Sequence, residues 1–139
     1  MPEGVPYASS NVIAGTGLEL NYVGDHAYAY SGTIQATQSS DTVLQFTTGN
    51  KLIVGFITCV GGIENNGGGV AAGTVTAFTL LLNGVDVARV KTSTAGTSPD
   101  NPSHATYPLV IPPYTLVQVT AFSTSTDGKT SVLITGKVH

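Results

Sequence analysis

The sequence predicts an all-β fold, and three observations carry that expectation. Thr and Gly are abundant, at 20 and 17 of 139 residues. β-branched Thr suits a pleated surface, and Gly suits tight turns. Apolar and polar residues alternate with period two over much of the chain, and turn-forming residues recur at regular spacing between those runs.

Residues 1–26 differ from the rest, with two prolines, four glycines and no sustained period. They read as an extended N-terminal arm, with a short strand at Leu18–Tyr22. Arms of this kind are floppy or held by a neighbour. Tyr28, Tyr30, Gly32 and Ile34 then alternate with Ala29, Ser31, Thr33 and Gln35, which places the tyrosines on one face and in the core. Leu44 and Phe46 alternate with Val43, Gln45 and Thr47, and "TGN" at 48–50 is a turn. Strand 51–60 follows, then a glycine-rich loop at 61–69. Runs 74–82 and 85–91 flank Asn83-Gly84, a pair suited to a type I′ turn, which needs positive φ at both positions. A long loop is expected at 92–104. Runs 107–110 and 115–123 flank Pro112-Pro113, which cannot donate to a ladder and so fit a strand end at a corner between sheets. Asp127-Gly128 is expected to make the last hairpin, before strand 130–138. Eight antiparallel strands in 27–139 suit a jelly-roll sandwich. An antibody-type sandwich is disfavoured, because the chain has one Cys and no Trp.

Composition narrows the function. Only 9% of residues are charged, and the net charge is −3. Lys51, Arg89, Lys91, Lys129 and Lys137 are scattered, so no basic patch forms for a phosphate backbone and nucleic acid is not an expected partner. No run of about 18 apolar residues offers a membrane span, and residues 1–10 lack the features of a signal peptide. Cys59 has no partner for an internal disulfide and sits in an apolar run, so it reads as a buried inert thiol.

Catalytic chemistry is not expected. His26 and His104 stand near Asp25 and Asp100, but a metal site needs three or four convergent ligands, and these read as solvated loop residues. The eight acids form no close pair in sequence. "GGGVAAG" at 67–73 lacks the Lys-Ser/Thr of a phosphate loop. No catalytic residue, metal ligand or cofactor is assigned. Tyr7, Tyr22 and Tyr114 are candidates for exposed contacts.

Two strands carry more apolar residues than one core face needs. Strand 51–60 has Leu52, Val54, Phe56 and Val60 on one face, with Ile53, Ile57 and Cys59 on the other. Strand 74–82 has Phe78, Leu80 and Leu82 opposite Val75, Ala77 and Leu81. A sandwich strand normally keeps one wet face. Either the arm or a loop covers the second face, or a sister subunit does. With so little charge to keep a monomer soluble, Leu52, Val54, Phe56, Phe78 and Leu80 are the subunit-interface candidates.

The segments "YAYSGTIQATQSSDTVLQFTTGNKLIVGFITC", "TLLLNGVDVARV" and "YPLVIPPYTLVQVTAFSTSTDGKTSVLITGKVH" together resemble the small jelly-roll capsid decoration (cement) proteins of tailed bacteriophages. The closing pattern carries most of the likeness: a double proline, an amphipathic strand, a polar turn and a strand ending in Gly-Lys-Val. The likeness spans about residues 27–139. It implies a homotrimer on the outer surface of the virion's capsid, bound to the major capsid protein, with no catalytic residues. The arm would then supply capsid contacts, with Pro2, Val5, Tyr7 and Tyr22 as candidates. A second expectation is a receptor-binding or lectin-like domain of a phage tail or fibre, using loops 61–73 and 92–106.

Overall fold

The computed structural model describes residues 20–63, 70, 73–94, 103–126 and 128–139. All regular secondary structure among them is strand. There are ten strands: β1 (Asn21–Val23), β2 (His26–Tyr30), β3 (Ile34–Gln35), β4 (Asp41–Thr47), β5 (Ile53–Ile63), β6 (Val75–Leu82), β7 (Val85–Ser93), β8 (Ser103–Ile111), β9 (Leu116–Ser123) and β10 (Lys129–Val138). They form two antiparallel sheets. One has six strands in the order β1-β2-β10-β5-β8, with β3 also paired to β10. The other has four, in the order β4-β9-β6-β7.

The count is ten rather than eight because β1 and β3 are short additions to the larger sheet. β1 also moves the arm boundary. Asn21 pairs with Tyr28 and Val23 with His26, so the division at residue 26 cuts through a hairpin. Longer strands consume parts of the expected loops: β5 runs on through Gly61–Ile63, β7 through Ser93, and β8 begins at Ser103. Apart from Thr94, the rest of those loops lies outside the described residues.

The inward faces form one core. Leu44 and Phe46 on β4, Phe78 and Leu80 on β6, and Val117 and Val119 on β9 meet Ile53, Ile57 and Cys59 on β5 and Val132 and Ile134 on β10. Burying each large side chain contributes roughly 1.5–3 kcal/mol. That fixes strand phase, since a one-residue slip would turn the whole set outward.

β2 alternates as expected but with the opposite sign. Ala27 and Ala29 enter the core, while Tyr28 is half-buried and Tyr30 exposed on the outer face. Turning the rings outward keeps the phenol hydroxyls in water.

The β6–β7 hairpin turns on Asn83 (φ 53°) and Gly84 (φ 80°), with Leu82 opposite Val85. Positive φ at both positions is the geometry a two-residue type I′ loop requires. The Asp127-Gly128 segment makes no hairpin. β9 belongs to the four-stranded sheet and β10 to the six-stranded one, so the chain crosses between sheets there. Asp127 itself lies outside the described residues.

Pro112-Pro113 does stand at a crossing, between β8 in the larger sheet and β9 in the smaller. Thr48, at the neighbouring β4–β5 crossing, ties the two corners together. Its hydroxyl donates to the Pro112 carbonyl (2.9 Å) and accepts from the Thr115 amide (2.8 Å). The Thr48 amide donates to the Thr115 carbonyl (2.9 Å), and the Tyr114 amide to the Gly49 carbonyl (2.8 Å).

Candidate interaction surfaces

The outer faces of the two sheets differ in chemistry. On the six-stranded sheet, strand register places Val54 beside Val110 and Phe56 beside Pro108. On the other side of β5, Phe56 faces Thr135 and Thr58 faces Leu133. Leu133 in turn faces Tyr30, and Thr135 faces Tyr28. The Tyr28 and Tyr30 rings lie 5.1 Å apart, tilted at 39°. The result is an apolar and aromatic band across neighbouring strands. Phe56 is 53% exposed and Val54 41%.

The outer face of the four-stranded sheet mixes hydroxyls and amides with half-buried apolar side chains. Thr79 stands opposite Thr120, and the Gln118 side-chain amide donates to the Gln45 side-chain oxygen (3.0 Å). Its apolar members include Val75, Ala77 and Leu81 on β6 and Leu116 and Phe122 on β9, all half-buried. Water is the natural neighbour of this face. The other sheet exposes far more area that water solvates poorly.

The five subunit-interface candidates divide accordingly. Val54 and Phe56 lie on the outer band, and Leu52 is half-buried at its end, where its amide and carbonyl pair with His139. Phe78 and Leu80 are corrected: they are 1% and 4% exposed, in this chain's own core. Alternation on β6 defines two faces, and packing chose the one with the larger side chains. Of the capsid-contact candidates, Tyr22 is exposed on edge strand β1. Pro2, Val5 and Tyr7 lie outside the described residues.

Sequence reasoning missed an apolar cleft. β7 and β8 end their respective sheets on the same side of the sandwich, and they are not paired with each other. Between them opens a cavity of about 430 Å³, floored by core residues such as Phe78 and Leu80 and flanked by Val87, Ala88, Tyr107 and Leu109. Val87 sits where the β6–β7 register shifts, and residues 85–89 are all exposed. The bulge swings this half of β7 away from the sandwich. A run of five exposed residues cannot be read from the alternating "VDVARVK". At the rim, the Arg89 guanidinium donates to the Asp86 carboxylate (2.6 Å), so these two charges compensate each other.

The titratable groups are dispersed. Asp25 contacts His26 Nδ1 (3.0 Å) and Lys137 Nζ (3.6 Å) at the solvent-exposed β1–β2 turn. His26 and His104 stand at strand starts rather than in loops. Among the described residues, no three His, Cys, Asp or Glu side chains gather as metal ligands. Burial pushes the Cys59 thiol up to about 12, which leaves it protonated and unreactive at neutral pH. No described helix is long and apolar enough to cross a membrane.

No protein-family model matches the chain, and no curated protein matches it in sequence.

Proposed function

We propose that this chain is a capsid decoration protein: a rigid homotrimeric jelly roll bound to the outer surface of an assembled phage head. The observation that carries the reading is the exposed apolar band around Val54 and Phe56 on the six-stranded sheet. Such a face calls for a protein neighbour. Sister copies and the major capsid protein are the partners proposed here, and no catalytic step is assigned.

The jelly-roll assignment rests on strand order. Setting aside short β1 and β3 leaves β2-β10-β5-β8 and β4-β9-β6-β7. Two interleaved four-stranded sheets, with most connections crossing between them, are the arrangement of that architecture. The N-terminal arm, with Pro2, Val5 and Tyr7, is the proposed capsid contact, together with Tyr22 on edge strand β1. Binding only the assembled shell would stabilise it by mass action, and repetition over a symmetric lattice would multiply weak contacts.

Cryo-electron microscopy of the parent particle tests the reading. The expected result is trimeric density on the head, weakened when residues 2–20 are deleted. Density confined to the tail, with specific binding on a glycan array, would overturn it in favour of receptor recognition.

A further inference from the structure

We propose that the β7–β8 cleft is completed by Tyr114 of a sister copy, whose ring seats in it from outside. This rests on the trimer reading above and deepens it by naming the contact.

Two independent features lead here. The first is the cleft, an apolar cavity reaching the core between unpaired sheet edges. The second is Tyr114, which is 73% exposed with φ at +54°. A non-glycine residue in that region is held there against its preference, at on the order of 1 kcal/mol. Pro112 and Pro113 stiffen the approach, and the Tyr114 amide is tied to the Gly49 carbonyl (2.8 Å). Glycine would serve this backbone better. A large ring on a braced corner, touching solvent over most of its surface, needs another purpose.

Symmetry supplies one. A three-fold ring joins two different patches, one projecting and one receiving, at every interface. Tyr114 projects and the cleft receives. Val87, Tyr107 and Val110 of the lining are 49%, 48% and 54% exposed, and Val85, earlier on β7, is 61% exposed. Apolar and aromatic side chains left in water around one cleft are what the buried centre of a subunit interface uses. Self-paired Arg89 and Asp86 keep the rim neutral, so two chains of net charge −3 meet there without opposed charges. The receiving edge also adjoins the exposed band, because Pro108 and Val110 belong to both. A small molecule fits less well. Such sites place a few polar groups to orient the ligand, whereas the charged and hydroxyl side chains lining the cleft, Arg89 and Tyr107, lie on exposed residues at the mouth.

Light scattering and thermal unfolding of wild type, Tyr114→Phe, Tyr114→Gly and Ala88→Trp test this. Wild type and Tyr114→Phe should be trimers at micromolar concentration. Tyr114→Gly should raise the trimer dissociation constant at least tenfold while leaving a folded 14.2 kDa chain, because it removes the ring and relaxes the backbone. Ala88→Trp, at the exposed mouth, should block the cleft and dissociate the trimer equally. A wild-type trimer unaffected by Tyr114→Gly or by Ala88→Trp overturns the inference and leaves the trimer reading standing. A monomeric wild type overturns both. Should deletion of residues 1–19, and not Tyr114→Gly, open the cleft to an apolar dye, the occupant is the chain's own N-terminal segment and the inference fails.

Discussion

Thr92 shows how a single hydroxyl can be out of place. It is buried on β7, and its Oγ1 finds no hydrogen-bond partner among the described residues. A buried polar atom left unpaired costs about 1–3 kcal/mol of desolvation. Thr92→Val keeps the shape and removes that cost, so it should raise the urea midpoint, by up to about 1 kcal/mol in stability. A lowered midpoint would mean that the hydroxyl has a water or loop partner. Cys59 gives the second residue-scale test. Its folded thiol titrates near 12 against an ordinary 9.0, because burial disfavours the thiolate. The protonated form is favoured in the folded state, so the stabilisation is complete below about 9 and is lost as pH rises through 12. Wild type should therefore lose its advantage over Cys59→Ala between those limits, as read from urea midpoints across the pH series.

Among the elements, the paired crossings at Thr48 and Pro112–Thr115 set the geometry of the sandwich. Both crossings join the same two sheets, and the Thr48 hydroxyl serves both a carbonyl and a buried amide. Thr48→Val would strand the Thr115 amide and should cost about 1–3 kcal/mol. Thr48→Ser should recover most of that loss in the same unfolding measurement. The sequence made much of this level legible. Asn83-Gly84 announced its hairpin because few residues accept positive φ, and the double proline announced its corner because it cannot donate to a ladder. What it hid has a common physical source. Alternation reports that a strand has two faces, without saying which is inside. The tyrosines of β2 and the large apolar residues of β6 were therefore assigned to the opposite sides from those they occupy. β3, at two residues, is too short to carry any period. The Asp127-Gly128 pair gave a turn signal, but a local signal cannot tell a hairpin from a passage between sheets.

At the scale of the whole molecule, the candidate surface was legible in part. The ten residues of "KLIVGFITCV" cannot all point inward, and Val54 and Phe56 are among those that face away from the core. The β7–β8 cleft could not be foreseen, since it depends on two distant strands ending their sheets side by side. Exposure also sharpens what a charge at Phe56 should do. More than half of that side chain already meets solvent in the single chain, so Phe56→Asp should leave the thermal midpoint within a few degrees of wild type. Its effect should fall on association, because an unpaired charge is costly only once a partner dries the face. Light scattering that finds Phe56→Asp still trimeric would remove this face from the assembly. The contrast between the two broad sides has one more consequence. A slab that exposes more large apolar side chains below than above has an up and a down. At an air–water boundary or on a waxy support, isolated chains should all settle the same way round, presenting Thr79, Thr120 and Gln118 to the liquid.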